Sequence, residues 1–248
     1  MSISKLTIWT KPTAIHVDCF TPLACAAIDN PIAKASHFVP DWWKKLDRTH
    51  DVLDPHTNMV IPRSTMKGCV GFLELYNNGI IMPLWSDVAL YVDKNGFRYN
   101  FAINEGAIIS HGSKQHGDHF SNQINLKMES VWALKEKRGV KFLFTGCTWS
   151  MAKVLTDITV LTGVLDFKNQ HTTHINMFCK VNEKPGGYIL EAGMPFVHLI
   201  PLSDKKVIPH VQRVSAEEFV HIRSEWQPYK FVGGFRERIK KLGAKNGK

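Results

Sequence analysis

The sequence lacks several patterns that assign a function directly. Its five cysteines include no Cys-x-x-Cys pair, which excludes the usual structural zinc sites and thioredoxin-like redox motifs. It has no Gly-x-Ser-x-Gly, Gly-x-x-x-x-Gly-Lys-Ser/Thr or Gly-x-Gly-x-x-Gly, so the serine-hydrolase elbow and two common phosphate-binding loops are absent. No apolar run approaches the roughly 18–20 residues that cross a bilayer, so we expect no membrane partner.

The cysteines are also odd in number and widely spaced, and three of them lie in apolar segments. This pattern predicts buried free thiols in a reducing compartment rather than a disulfide framework. The first 18 residues lack the apolar centre of a signal peptide, and they predict a first strand instead.

The composition is that of a globular protein. Among 248 residues, 44% are hydrophobic and 21% are charged, which is enough apolar material for a sizeable core. β-Sandwiches and barrels commonly reach this length as one unit. We therefore predict one β-rich domain over residues 1–214 and a helical, basic tail over residues 215–248.

Short strands are predicted through most of the chain. Residues 88–92 and 97–103 flank Asn95 and Gly96, and an Asn-Gly step accepts the positive φ of a tight turn, which predicts a β-hairpin. Seven further apolar segments, separated by turn-forming residues, follow between residues 123 and 211. Many short strands with regular turns favour a mainly antiparallel β-sandwich or jelly roll over a parallel α/β sheet.

Helices are predicted near both ends of these strands. A helical apolar stripe over residues 64–78 ends at Gly79, and residues 31–46 predict a short helix and a helical turn. Together they predict a helical N-terminal insertion at residues 31–78, in which residues 50–62 form a loop rich in Asp, Pro, His and Asn.

The C-terminal tail begins with a capping box. Ser215 can accept the backbone N–H of Glu218, and an apolar stripe follows. Over half of the formal net charge of +9 lies at the end of this tail, where six basic residues accompany one acidic residue from Arg236 onward. Such a segment is either a solvated terminus or a contact for a nucleic acid or another acidic partner. The residues predicted to contact a polyanion are Arg236, Arg238, Lys240, Lys241 and Lys245.

The densest ionisable cluster contains an His-x-Asp fragment, His116-Gly117-Asp118. This fragment resembles the motif of iron(II)/2-oxoglutarate oxygenases, in which one His and one Asp join a distant His in a 2-His-1-carboxylate site. The resemblance implies Fe(II) and 2-oxoglutarate as cofactors and a jelly-roll fold. A polar loop without metal is the simpler interpretation of such a short fragment, and copper or zinc at the same cluster is a further alternative.

The distant histidine of this alternative has several candidates. We select His198 as the third metal ligand because its strand is predicted to be central, and Arg213 as a clamp for the 2-oxoglutarate carboxylate. The other candidates are His171, His174 and His210.

Several segments resemble uncharacterised proteins of tailed bacteriophages. They include residues 40–46 (PDWWKKL), 79–87 (GIIMPLWSD), 140–144 (VKFLF) and 191–201 (EAGMPFVHLIP), and the resemblance extends over about residues 40–203. The chain is also similar to a bacterial β-rich family of unknown function. The phage resemblance implies a place in the host cytoplasm or the virion.

From these observations we predict a phage-encoded, non-catalytic binding protein that acts in virion assembly or on a host or nucleic-acid target. Its partner is a protein or a nucleic acid bound through the basic tail, and an oligomer is compatible with the sequence. The alternative is the oxygenase that uses His116, Asp118 and His198.

Overall fold

The computed structural model describes residues 14–103, 106–112, 115, 122–181 and 187–224. Strands account for 47% of these residues and helical turns of all kinds for 22%. The predicted mainly β fold with several antiparallel sheets and few helices is therefore confirmed. No helix within these ranges is long and apolar enough to cross a membrane.

The strands are short except at the centre of the fold. In chain order they are β1 (Ala14–Thr21), β2 (Ala33–Lys34), β3 (Thr49–Leu53), β4 (Val60–Ser64), β5 (Ile80–Pro83), β6 (Val88–Asp93), β7 (Gly96–Phe101), β8 (Ile108–Ser110), β9 (Gln123–Lys135), β10 (Lys141–Gly146), β11 (Ile158–Val160), β12 (Gly163–Asp166), β13 (Thr172–Lys180), β14 (Tyr188–Leu190), β15 (Pro195–Pro201) and β16 (Lys206–Arg213). The α-helices are α1 (Asp41–Lys45), α2 (Val70–Asn77) and α3 (Ala216–Ser224). A π-helical turn covers Cys25–Asp29, and 3₁₀ turns cover Ala35–Phe38, Met66–Gly68, Thr148–Ser150 and Lys153–Thr156.

The first sheet has the order β11-β13-β9-β1-β16, and β8 also pairs with β9. All of its pairs are antiparallel except β1 and β16, which run parallel. A parallel pair requires a long crossover, and here nearly the whole described chain lies between the two strands. β16 is an edge strand of this sheet, which is where Pro209, without a backbone N–H, is tolerated.

The second sheet has the order β12-β10-β15-β5-β2, and its pairs are antiparallel. Side chains of both sheets belong to one buried cluster, which includes Ile15 and Val17 of the first sheet and Ile80, Phe142 and Leu199 of the second. In each sheet the residues that alternate with these lie on the other face, which we call the outer face.

One predicted strand is divided between the two sheets. The sequence predicts a single strand over residues 158–167, but β11 pairs with β13 in the first sheet and β12 pairs with β10 in the second. The chain crosses between them at Leu161 and Thr162, where the Thr162 hydroxyl lies 2.9 Å from that of Thr145. Strands that change sheets in this way form the corners of packed β-structures.

The predicted helical insertion at residues 31–78 is a mixture of helix and strand. The prediction of a loop over residues 50–62 is wrong, because β3 and β4 form a hairpin there. The predicted helix over residues 64–78 is shorter, since Cys69 has an extended backbone and α2 begins at Val70.

The local turn and cap predictions are confirmed. Asp93 pairs with Gly96 across a two-residue loop, Gly96 has a φ of +137°, and β6 and β7 join β14 in a third sheet. At the start of α3 the backbone N–H of Glu218 donates to the Ser215 hydroxyl at 3.1 Å. The predicted helical tail is described only as far as Ser224.

Candidate functional site

Two of the three metal ligands of the oxygenase alternative, His116 and Asp118, lie outside the described residues. The predicted polyanion-binding residues of the tail lie outside them as well: Arg236, Arg238, Lys240, Lys241 and Lys245. These assignments therefore stay predictions. The histidines on the strands, and Arg213, are described.

His198 is fully buried on the outer face of the second sheet. It lies on β15 between the core residues Val197 and Leu199, so its side chain points away from the shared core. Its Nε2–H donates to the carbonyl oxygen of Asn78 at 2.7 Å. This bond fixes the neutral tautomer that leaves Nδ1 as an acceptor, and Nδ1 has no protein partner among the described residues.

Aromatic side chains from the 3₁₀ turn after β10 and from the insertion cover His198. The Trp149 ring meets the His198 ring edge to face at 5.8 Å between centroids, and Tyr76 of α2 packs against Trp149 at 5.3 Å. Burial lowers the pKa of His198, and the bond to Asn78 opposes that shift only in part. The environment is that of a neutral packing residue.

Arg213 is separated from His198. It ends β16 in the first sheet, is exposed, and donates from Nε to the carbonyl oxygen of Pro22 at 3.4 Å. His198 lies in the second sheet and is covered by Trp149. The structure therefore does not bring together the histidine and the arginine that the sequence suggested as neighbours.

The other two candidate histidines near β13, His171 and His174, lie close to residues of neighbouring elements. His171 is buried, and its Nδ1–H donates to the carbonyl oxygen of Ile222 in α3 at 3.2 Å. His174 lies opposite Glu129 on the outer face of the first sheet. Burial lowers the pKa of His174, and the charge of the neighbouring Lys127 acts in the same direction.

His210, in contrast, faces a second histidine that the sequence did not suggest. His16 on β1 and His210 on β16 are both exposed on the outer face of the first sheet. The parallel register places His210 directly opposite Asp18, which shares a face with His16. The register thus places three ionisable residues on one face of two neighbouring strands.

The two imidazoles are joined by a hydrogen bond. His16 Nδ1 lies 2.8 Å from His210 Nε2, the ring planes differ by 9°, and the ring centroids are 5.1 Å apart. A face-to-face stack would bring the centroids closer than this, so the rings lie end to end with the two nitrogens between them. The geometry is that of an N–H···N bond, in which either nitrogen is the donor.

These histidines line an open cavity of about 430 Å³. The turn after β9 forms its other wall and contributes Lys137 and Arg138, while Gln212 extends the β16 side. Arg138 donates from Nη1 to the carbonyl oxygen of Ala14 at 3.1 Å, which fixes the turn against β1. We call this cavity the histidine groove.

Glu136 at the base of the groove has a structural role. Its carboxylate accepts the backbone N–H groups of Arg138, Gly139 and Val140 at 2.9, 2.6 and 2.9 Å. The residue is 1% exposed. With its oxygens occupied by the turn, it holds Arg138 in place, and Asp18 is the carboxylate that shares a strand face with the histidines.

The outer face of the first sheet carries basic residues along its length. Lys127 and Lys135 of β9 and Lys206 of β16 lie on it by register, and Arg223 projects from α3 beside His174. α3 packs on the same face through Phe219 and Ile222, which contact Ala133 and Phe20. The residues that follow α3 lead to the basic tail.

The described residues contain no group of three or more His, Cys, Asp or Glu side chains that is arranged to hold a metal ion. Three of the five thiols are buried, as the sequence predicts: Cys19, Cys147 and Cys179. Burial raises the pKa of all three, that of Cys179 to about 12, so they are protonated packing residues at neutral pH.

A sequence signal for the groove exists. His16 and Asp18 alternate with Ile15, Val17 and Cys19, and a polar residue at every second position of an apolar strand marks its outward face. His16-Val17-Asp18 is itself an His-x-Asp fragment, like His116-Gly117-Asp118. Its partner His210 was not identifiable from the sequence, because a parallel pairing over this separation leaves no local pattern.

Comparisons of the chain with protein-family models, with curated proteins and with solved structures find no match.

Proposed function

We propose that this chain is a phage-encoded, non-catalytic binding protein whose target is a nucleic acid. The observation that carries the proposal is the basic outer face of the first sheet, from which α3 leads to the most basic segment of the sequence. Phosphate backbones are bound by Lys and Arg side chains presented together in this way, with little need for a deep pocket.

The charge distribution supports this choice among the predicted targets. The last 13 residues, from Arg236 to Lys248, carry six basic and one acidic residue, which is +5 of the total +9. On the strands of the outer face, Lys127, Lys135 and Lys206 outnumber the acidic Asp18 and Glu129. A binding surface that continues from the sheet into the tail would neutralise several phosphates.

The proposed architecture is a β-sandwich of the two large sheets, related to a jelly roll. Their shared buried cluster supports face-to-face packing, and the crossing at Leu161 and Thr162 supplies a corner between the sheets. In such a sandwich the outer faces are available for partners. Trp149 and Tyr76 cover part of the outer face of the second sheet, so among the described residues the outer face of the first sheet is the more accessible one.

The test is DNA binding as a function of salt. Fluorescence anisotropy with labelled single- and double-stranded oligonucleotides should show affinity that falls as salt increases. Truncation after Phe235 should reduce the log–log salt slope by about 0.7–0.9 for each phosphate that the shortened chain no longer neutralises. Lys127→Gln combined with Lys206→Gln should reduce the slope further, whereas Lys94→Gln, in the β6–β7 loop of the third sheet, is the matched control.

Two outcomes would overturn the proposal. One is the absence of DNA and RNA binding at low salt, which would favour a protein target in virion assembly or in the host cytoplasm. The other is binding that the truncation and the double substitution leave unchanged. Sedimentation of the free protein would show whether it is an oligomer.

A further inference from the structure

We propose that the histidine groove is a proton-gated binding site for a tetrahedral oxyanion of the phosphate class. In this site His16 and His210 bind each other when they are neutral and bind the anion when both are protonated. The inference assigns a phosphate contact to the basic face that we propose binds nucleic acid. It therefore deepens the proposed function and rests on it.

The proton count follows from the N–H···N bond. Two neutral imidazoles have two N–H groups and two bare nitrogens, so His16 Nδ1 and His210 Nε2 can share one hydrogen at 2.8 Å. A first proton from solvent leaves that bond in place with one positive charge. A second proton puts hydrogens on both facing nitrogens, and the bond is replaced by repulsion between two cations.

The doubly protonated pair has donors that require a new acceptor. Both facing nitrogens then carry N–H groups on an exposed surface, a few ångströms apart. An oxyanion accepts from both, and charge-assisted bonds of this kind are shorter and stronger than neutral ones. Water competes at an exposed site, so the anion is held by several groups rather than by the imidazoles alone.

The remaining walls of the groove supply those groups. Arg138 has one N–H committed to the Ala14 carbonyl, and its guanidinium offers further donors toward the cavity. Lys137 and Gln212 are exposed along the same cavity. A cavity of about 430 Å³ is larger than a phosphate group needs, so one phosphate of a longer chain fits with its neighbours outside.

Asp18 and Glu136 oppose anion binding at neutral pH. Lys137 and Arg138 in the cavity wall, and Lys135 opposite Asp18 on β9, carry the positive charges that favour an anion. Each added proton then makes the groove more positive by one unit.

Sulfate is the first probe, because its charge is constant over the range in which histidines titrate. NMR spectra of the full chain, recorded at about pH 5.5 and about pH 8, should show sulfate shifting the imidazole nitrogens of His16 and His210 only at the lower pH. The expected gain in sulfate affinity on acidification is on the order of tenfold, from two exposed charge-assisted bonds.

Substitutions separate this site from other histidines. His16→Gln, His210→Gln and the double variant should lose most of the gain on acidification, whereas His56→Gln, exposed in the β3–β4 hairpin, should retain it. Asp18→Asn should strengthen sulfate binding at both pH values. Because these side chains are exposed or half-buried on strands, thermal unfolding of each variant checks that the fold is kept.

The oligonucleotide measurement distinguishes a nucleic-acid phosphate from a free anion. If DNA binding also gains affinity on acidification and the double variant loses that gain, the groove contacts the phosphate backbone. If neither DNA nor RNA is bound at either pH but sulfate still shifts both imidazoles in acid, the proposed function is wrong and the anion site stands. Sulfate binding that is absent in acid, or unchanged in the double variant, would overturn the site.

Discussion

The outer faces of the two large sheets present histidines in opposite ways. On the second sheet, His198 is covered by Trp149 and Tyr76, is 0% exposed and donates to a backbone carbonyl. On the first sheet, His16 and His210 are exposed, bind each other and face a cavity. Both sets occupy outward positions on strands, so strand position alone does not decide the role of a histidine.

The difference comes from what lies above each face. Tyr76 of the insertion and Trp149 lie over the second sheet, whereas the described part of the chain covers the first sheet with α3, which packs near Phe20 and Ala133. A covered imidazole loses its hydration and stays neutral, and its hydrogen bonds must come from the protein. An uncovered pair keeps access to protons and ligands.

The largest expected effect is the loss of His198. His198→Ala removes a buried ring and leaves the Asn78 carbonyl oxygen without its donor, so the free energy of unfolding should fall by about 2–4 kcal/mol. His210→Ala, the matched change on the exposed face, should alter it by no more than about 0.5 kcal/mol. Urea unfolding of both variants checks this, and equal losses would contradict the contrast between the faces.

A second effect concerns the wall of the groove. Glu136→Ala leaves three backbone N–H groups of the turn without an acceptor, and we expect a loss of about 2 kcal/mol. Glu136→Gln retains one carbonyl oxygen and should lose less. If Glu136→Ala unfolds at the same urea concentration as the wild type, the turn does not depend on this carboxylate.

The pH dependence of stability should also differ between the faces. The folded-state pKa of His198 is lowered, so the unfolded chain binds more protons in mild acid. Its contribution is complete above the unfolded value of about 6.5 and declines as the pH falls from there toward the folded pKa.

His198→Gln should therefore have a flatter stability–pH profile than the wild type. The profile should keep some slope, because the pKa of His174 is also lowered and this residue loses stability in the same direction as the pH falls. Urea unfolding at several pH values measures it. A profile as steep as that of the wild type would show that His198 is not responsible.

The smallest effect is expected at the β3–β4 hairpin. Leu53 and Val60 oppose each other and are 57% and 62% exposed, so Leu53→Ser should change stability by about 0.5 kcal/mol or less. Phe142→Leu, in the shared core, is the comparison and should cost more. A large loss from Leu53→Ser would mean that the hairpin supports the layer over the second sheet.

Local signals predicted part of the fold correctly. The Asn95–Gly96 turn and the Ser215 cap each depend on residues a few positions apart, which is the range over which turn and cap chemistry acts. The β3–β4 hairpin was missed because Pro62 and the polar residues around it resemble a loop, yet Pro62 is tolerated in a two-stranded ribbon whose outer edges are unpaired.

The candidate site also has one part that the sequence predicts and one part that it does not. Alternation in the first strand places His16 and Asp18 on one face, and this can be read from the sequence. The sequence-based choice of His198 as a ligand depended on its central strand, but that strand carries it under the insertion. Burial by a distant segment is not visible in local periodicity.

The sequence by itself determined the β-rich class, the tight turns, the helix cap and the basic end, because each depends on composition or on neighbours along the chain. Only the tertiary structure decided which sheet each strand joins and which histidines meet. His16 and His210 are 194 positions apart, and a parallel register brings them to 2.8 Å. Such pairing is selected by the packing of the whole core, which no local pattern records.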